Sequence, residues 1–152
     1  MNVETTRFGA LEVDDNMLVT MPSGLLGFED YTKFCLIQHR GSAEFQWLQS
    51  TEEPGLAFVL VDPSKYFASY EIEISDSDVE KLKLASEDDA IVLAILTISN
   101  SGQNISANLA APVIINSKNL IGAQVVLQNE RYSTRHALAA KRAAETVTAK
   151  AA

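Results

Sequence analysis

The sequence contains little of what enzymatic chemistry usually requires. Among its 152 residues there are one cysteine and two histidines, and the histidines, His39 and His136, stand far apart. Catalysis needs titratable side chains that converge in a cleft, and the sequence has no zinc-protease, paired-cysteine, phosphate-loop or serine-nucleophile motif. We therefore predict a protein that is not an enzyme and that binds no cofactor or metal.

Long apolar runs and disulfides are lacking as well. The longest apolar run, residues 90–98, is interrupted by Thr97 and is far shorter than the roughly 20 residues that cross a bilayer, so it predicts a core strand. The first ten residues show no secretory signal pattern, and Cys35 has no second cysteine to pair with. We expect a cytoplasmic protein with Cys35 in its core.

Charge is distributed unevenly along a chain whose formal net charge is −8. Between Glu71 and Asp89 there are eight acidic and two basic residues, whereas from Arg131 onward five basic residues accompany Glu145 alone. Nucleic-acid binding requires several Lys or Arg side chains that neutralise phosphates together, so the acidic body argues against it. A charged partner of this body is expected to be basic.

Strand patterns dominate the rest of the chain. Strands are predicted over residues 8–13, 17–21, 34–39, 45–50, 56–61, 70–74, 90–99, 105–110, 113–115 and 120–127. Turn-forming residues predict a hairpin at 14–16 and another at 116–119, with Gly122 as a bulge in the second. Short strands at such even spacing favour a closed or nearly closed antiparallel barrel over an α/β fold.

One internal helix interrupts the predicted strands. Ser77, followed three residues later by Glu80, matches a capping box, and a partial apolar stripe follows at helical spacing, formed by Val79, Leu82 and Leu84. The C-terminal part is rich in alanine, with Leu138 as its only large apolar side chain. We predict a mostly β, antiparallel, barrel-like domain over residues 1–134 and an Ala-rich basic tail, a frayed helix, over residues 135–152.

Acidic residues follow one another through the predicted strand 70–74 and the start of the helix. In the strand, Glu71 and Glu73 alternate with apolar residues, which predicts one buried side and one wet, negatively charged side. A calcium loop is an alternative for Asp76 and its acidic neighbours, but Lys81 stands where such a loop needs glycine. A solvated acidic surface is the simpler interpretation.

Two further features suggest binding. The loop 22–28 contains a proline, two glycines and three apolar residues, Leu25, Leu26 and Phe28, and we expect it to pack inward. Aromatic residues gather between residues 45 and 70, as in OB-type barrels that stack nucleotides, although Lys65 is the only base among them. A small OB-like nucleic-acid-binding domain therefore stays as the alternative function.

Five segments together form a recognisable pattern. They are PSGLLGFE at 22–29, WLQS at 47–50, DP at 62–63 leading to YE at 70–71, ANLAAPVIIN at 107–116, and GAQVVL at 122–127 with Tyr132 and RH at 135–136. In order and spacing they resemble the bacterial flagellar assembly factor FliW family over residues 8 to 136. Leu26 departs from the resemblance, because the family often has proline there, which leaves the rigidity of the loop open.

The resemblance implies a cytoplasmic, non-catalytic, barrel-like protein with two competing protein partners. One is flagellin, and the other is CsrA, a small basic RNA-binding translational regulator. In such a family, FliW bound to CsrA prevents it from repressing flagellin translation, and accumulating flagellin titrates FliW away. We expect a monomer when free, with no membrane contact and no direct contact with nucleic acid.

Two candidate surfaces follow as hypotheses. An acidic surface would steer the basic regulator CsrA, and its residues are Glu71, Glu73, Asp76, Asp78 and Glu80. The ends of flagellin are amphipathic helices, which a groove lined by apolar loop residues would receive, namely Leu25, Leu26 and Phe28. For the polar residues of the matched motifs we favour a structural role, the pairing of buried backbone groups, at Gln49, Asn108, Asn116 and Gln124.

Overall fold

The computed structural model describes residues 1–38, 45–99, 104–128 and 131–138. Strands and one α-helix make up its regular elements, together with short 3-10 turns at Asp15–Met17, Pro63–Lys65 and Glu87–Asp89. In chain order the elements are β1 (Asn2–Thr5), β2 (Gly9–Glu12), β3 (Leu18–Thr20), β4 (Lys33–Gln38), β5 (Phe45–Ser50), β6 (Ala57–Val61), α1 (Asp76–Leu82), β7 (Ala90–Ser99), β8 (Asn104–Asn116), β9 (Gly122–Gln124) and β10 (His136–Ala137).

One curled antiparallel sheet forms the body of the protein. Its strands follow the order β3-β4-β5-β6-β7-β8-β10, and β9 also pairs with β8. The two ends of the curl meet where Thr20 forms a parallel bridge with Ile121, and the Thr20 N–H donates to the Leu120 carbonyl at 3.0 Å. The predicted antiparallel, barrel-like fold class is confirmed, with a single bridge where a continuous barrel would have a full ladder.

Apolar side chains cover both faces of this sheet. The inner face holds a buried cluster that includes Phe34, Leu48, Leu60, Leu93 and Val113, which the loop residue Leu25 joins. On the outer face, the β1–β2 hairpin covers Cys35, and the segment between β6 and β7 covers the strands from β5 to β9. Cys35 is a core residue as predicted, and burial raises the pKa of its thiol.

The N-terminal hairpin differs from the predicted one. β2 pairs with β1, whereas β3 pairs with β4, so the hairpin predicted at residues 14–16 is wrong. The turn after β1 is closed instead by Thr5, whose hydroxyl accepts a hydrogen bond from the Phe8 N–H and donates to the Gly9 carbonyl, both at 2.8 Å. Gly9 has φ +70°, which glycine adopts without strain.

The segment 70–74 is not a strand, in contrast to the prediction. Glu71 and Glu73 are exposed and alternate with partly buried neighbours, so the predicted alternation holds, but the segment pairs with none of the strands described. Ile72 and Ile74 instead pack against the cluster around Leu82. The alternation arises because the chain lies extended across the outer face of the sheet.

The N-cap of helix α1 lies two residues before the predicted one. Ser75, not Ser77, is the N-cap, and its hydroxyl accepts a hydrogen bond from the Asp78 N–H at 3.1 Å. The same hydroxyl donates to the Asp78 carboxylate at 2.8 Å. The N-cap is therefore Ser75, and the capping box predicted at Ser77 and Glu80 is wrong.

Residues 105–115 lie within one strand, β8, whereas the sequence predicts two strands, 105–110 and 113–115, on either side of Pro112. The pairing with β7 shifts between Leu93 and Ile95, which face Val113 and Asn108, so that residues 109–112 stand opposite a single residue of β7. Pro112 lies within this irregularity, where its missing N–H interrupts no ladder bond. The resulting bulge bends β8 and brings its two halves against different neighbours.

The second predicted hairpin is present, with one correction. β8 and β9 pair around the turn at 116–119, and Gly122 faces Ile115 in regular register, so Gly122 is not a bulge. A side chain at Gly122 would place its Cβ 2.6 Å from the Met21 sulfur. The glycine therefore allows β9 to approach the start of the 22–28 loop closely.

The folded domain extends beyond residue 134, its predicted C-terminal boundary. His136 and Ala137 pair with β8, and Leu138 is buried in the core, so the fold extends through residue 138. Residues 139–152 of the predicted tail and His39 lie outside the described residues. In the part of the chain that is described, no helix has the length and apolar character to span a membrane.

Candidate functional site

The loop between β3 and β4 presents apolar side chains to solvent. Leu25 is 1% exposed and belongs to the core, whereas Leu26 is 57% and Phe28 38% exposed. The ring of Phe28 packs edge-on against that of Phe58, with 5.3 Å between the ring centroids. The expectation of an inward-packed loop therefore holds for Leu25 alone, and Leu25 supports the loop from beneath without forming part of its surface.

Backbone conformation holds this loop in place. Gly24 has φ +66°, and a Cβ there would lie 2.7 Å from the backbone of Glu29, so the turn requires glycine. The Phe28 N–H donates to the Leu25 carbonyl at 2.7 Å, and the Gly27 N–H donates to the Glu29 carboxylate at 3.2 Å. The loop is a closed turn that displays two side chains.

Gln124 attaches the loop to the sheet. Its carbonyl oxygen accepts a hydrogen bond from the Leu26 N–H at 2.9 Å, and its amide nitrogen donates to the Ala111 carbonyl at 3.0 Å. A proline in place of Leu26 would have no N–H to offer. The FliW family often has proline at this position, which would stiffen the loop; this chain holds the loop with a hydrogen bond instead. Gln124 therefore has the structural role favoured from the sequence.

The bulge in β8 completes its hydrogen bonds with groups from distant segments. The Leu109 and Ala110 N–H groups both donate to the Ser133 carbonyl at 3.1 Å, and the Ala110 carbonyl accepts from Leu127. The Asn108 side chain accepts from the Ala111 N–H at 3.0 Å. Because buried backbone groups are costly to leave unpaired, these partners make the bulge a fixed part of the fold to which Gln124 can anchor.

The acidic surface lies on the segment that leads into α1. Glu71, Glu73, Asp76 and Glu80 are exposed, whereas Asp78 is partly buried and engaged in the helix cap. Within the described residues, the ion pair that the structure contains joins the N-terminus to Glu12. None of the five candidate acids takes part in a salt bridge within this part of the chain. The negative charge of the four exposed acids is open to solvent.

A pair of tyrosines holds this acidic segment against the sheet. The Tyr70 hydroxyl donates to the Leu109 carbonyl at 2.8 Å, and the Tyr132 hydroxyl accepts from the Glu71 N–H at 3.0 Å. The two rings pack edge to face, with 4.7 Å between centroids. Burial, and to a lesser extent Tyr132, raises the pKa of Tyr70. Sequence reasoning placed Tyr132 among the family motifs but did not indicate this role.

Asn116 anchors the other end of the helix. Its buried amide donates to the carbonyls of Leu82 and Lys83 at 2.9 and 3.1 Å, and its oxygen accepts from the Lys118 N–H. These groups are the carbonyls that a helix end leaves unpaired. Asn116 therefore has the structural role that the sequence favoured, the pairing of backbone groups.

Titratable groups do not converge elsewhere in the described residues. No group of three His, Cys, Asp or Glu side chains there is arranged to hold a metal ion. A cavity of about 460 Å³ beside β7 includes Asp62 and Lys65 in its lining, but the Asp62 carboxylate accepts two hydrogen bonds from Ser64 and so caps a 3-10 turn. His136 accepts from the Ser133 N–H at 2.8 Å and packs between aromatic rings.

The fold and its surfaces define a class of protein: a small curled-sheet protein with a displayed apolar loop and an acidic segment as its candidate contact surfaces. The model of the FliW protein family matches residues 2–138. The chain belongs to this family, which confirms the resemblance seen in the sequence.

Individual relatives agree with this assignment. The chain is 38% identical over 136 residues to the flagellar assembly factor FliW of Geobacter sulfurreducens, covering 90% of this chain and 85% of the relative. It is 41% identical over 138 residues to that of Anoxybacillus flavithermus, covering 91% and 94%. A crystal structure of the flagellar assembly factor FliW superposes with a TM-score of 0.83 at 35% identity, covering 90% of this chain and 96% of that one.

Proposed function

We propose that this chain serves flagellar assembly in the cytoplasm, without catalysis, by binding two proteins in alternation. Free chain binds the translational regulator CsrA and so relieves repression of flagellin synthesis. Newly made flagellin binds the chain and releases CsrA, which stops further synthesis until export removes the flagellin. The observation that carries the proposal is the match to flagellar assembly factors across residues 2–138, nearly the whole described fold.

The acidic surface is the proposed contact for CsrA. Glu71, Glu73, Asp76 and Glu80 are exposed without a compensating ion pair in the described residues. Exposed charge of one sign raises the rate at which an oppositely charged protein associates, and this effect weakens with salt. Asp78 adds to the field but has its carboxylate turned to Ser75, so we assign it to the field and not to direct contact.

The displayed loop is the proposed contact for flagellin. Leu26 and Phe28 offer apolar surface to solvent, and apolar side chains held in a fixed arrangement are what the apolar face of an amphipathic helix can bury. Leu25 contributes by filling the core under the loop. The two surfaces lie on different segments, the β3–β4 loop and the segment before α1.

Calorimetry with purified components tests the proposal. We expect the chain to bind CsrA and, separately, monomeric flagellin, and we expect saturating flagellin to reduce the heat of CsrA binding. Absence of binding to both proteins would refute the proposal. Simultaneous binding of both without mutual effect would refute the alternation.

A further inference from the structure

Three exposed apolar side chains lie on the loop that Gln124 holds and on the chain just after Gln124. Leu26 and Val126 are 57% and 55% exposed, and with Phe28 they are three of the large hydrophobic residues that the described fold leaves in solvent; Met1 and Ile91 are the others. Leu26 is placed there by its N–H, which donates to the Gln124 side chain. The position of Val126 follows from the path of the chain after β9.

That path is extended and alternates. The Val125 N–H donates to the Pro112 carbonyl and the Leu127 N–H to the Ala110 carbonyl, and the side chains of both residues pack into the outer core with Leu82. In an extended chain successive side chains point to opposite sides. Gln124 and Val126 therefore share the other side, and this is the side on which the 22–28 loop lies, because the Leu26 N–H donates to Gln124.

The partner of this surface cannot be an added strand at the loop. The N–H groups of Leu26, Gly27 and Phe28 are all engaged, by Gln124, Glu29 and the Leu25 carbonyl. Strand addition takes its affinity from backbone donors as well as acceptors, and these three residues have no N–H left to donate. A helix satisfies its own backbone and binds through side chains alone, so an amphipathic helix suits the surface.

Charge at the border of the surface further defines the partner. Glu29 and Asp30 follow Phe28 directly and are exposed. A helix that buries its apolar face against this surface brings its flanking residues near these carboxylates, and basic flanking residues are complementary to them.

We propose that Leu26, Phe28 and Val126 form a docking surface for an amphipathic helix bordered by basic residues, and that Gln124 is its positioning residue. The inference rests on the proposed function, in which the terminal segments of flagellin supply such a helix. Gln124 acts through Leu26: its amide holds the loop to the β8 bulge and fixes the distance between Leu26 and Val126.

Binding of monomeric flagellin to the full-length chain tests the surface. Leu26→Ser and Val126→Ser should each weaken binding about tenfold, as expected for side chains central to an interface. Ile91→Ser, a matched change of an exposed apolar residue on β7, should leave it unchanged. Asp30→Asn, which alters no hydrogen bond of the loop among the described residues, should weaken binding and reduce its salt dependence.

A double-mutant cycle tests the role of Gln124. Gln124→Leu should weaken flagellin binding about tenfold in the wild-type background, because it releases the Leu26 N–H and with it the position of the Leu26 side chain. In Leu26→Ser that apolar side chain is already absent, so Gln124→Leu should add little there. If Gln124 only stabilises the fold, Gln124→Leu should weaken flagellin binding equally in the wild-type and Leu26→Ser backgrounds and should weaken CsrA binding as well. That result would overturn the assignment of Gln124 as a positioning residue.

The outcomes separate the two proposals. If the wild-type chain binds neither flagellin nor CsrA, the proposed function fails, and the inference falls with it. If the wild type binds flagellin while Leu26→Ser and Val126→Ser bind equally well, the docking surface alone is refuted.

Discussion

Reversal of charge on the acidic surface should weaken CsrA binding by an amount that depends on salt. The change is the double substitution Glu71→Lys and Glu73→Lys, at two exposed positions that form no ion pair within the described residues. Two unit charges about 8 Å apart in water interact by about 0.5 kcal/mol. Exchanging attraction for repulsion thus costs about 1 kcal/mol per residue, or about 2 kcal/mol in total.

The loss of CsrA affinity should depend on ionic strength. At low ionic strength Kd should rise roughly 30-fold, mostly through a slower association rate. At physiological salt the Debye length is about 8 Å, which reduces the expected loss to about threefold. Stopped-flow association kinetics and calorimetry at several salt concentrations measure both quantities.

A matched control distinguishes the surface from net charge. Glu4→Lys with Asp14→Lys changes the net charge equally, at exposed positions of the N-terminal segment where Asp14 makes no capping hydrogen bond. We expect this variant to lose much less affinity. Equal losses in the two variants would show that overall charge acts alone, and an unchanged association rate in the first variant would refute electrostatic steering by this surface.

Three further predictions concern the fold that supports the surfaces. Asn116→Ala should lower the free energy of unfolding by about 2 kcal/mol, because two carbonyls at the end of α1 lose their buried donor, as measured by urea denaturation. Leu25→Ala should cost about 3 kcal/mol as a core truncation, whereas Leu26→Ala should change stability by less than about 0.5 kcal/mol. Burial raises the pKa values of Cys35 and Tyr70, so with rising pH the unfolded state loses these protons before the folded state does. The free energy of unfolding should therefore fall as pH rises above about 8.5. If it falls in Cys35→Ala and in Tyr70→Phe by as much as in the wild type, this explanation is contradicted.

Strands with strong local patterns could be predicted from the sequence. Phe45–Ser50 and Ala90–Ser99 were predicted with the bounds that the structure has, because each is a run of apolar and β-favouring residues bounded by polar or turn residues. The burial of Cys35 followed in the same way from its apolar neighbours. Where local propensity and tertiary packing agree, a sequence specifies its elements.

Pairings that depend on distant groups could not be predicted. The sequence predicts separate strands on either side of Pro112. In the structure β8 continues through Pro112, because Ser133, Leu127 and Gln124 supply the hydrogen bonds that complete the bulge. The N-terminal hairpin was misplaced because the Asp-Asp-Asn stretch is a strong turn signal, while the Thr5 side chain that closes the actual turn is a weak one. Each error arose where a specific side-chain contact outweighed a general preference.

The candidate surfaces were predictable to different degrees. The acidic residues were found from charge alone, since exposed acids need no particular partner. The orientation of the loop was not: Leu25 is buried and Leu26 exposed, and an irregular loop has no periodicity that separates two adjacent leucines. Gln124 contacts Leu26 across 98 residues of sequence, a distance at which no local pattern signals the contact.

Capture of the chain from living cells tests the central claim most directly. A tagged chain is purified from cells with and without flagellin, and the proteins that accompany it are identified and quantified. The account predicts flagellin as the main companion when flagellin is present, and CsrA in larger amount when flagellin is absent. Recovery of neither protein, or of the same amount of CsrA in both strains, would contradict it.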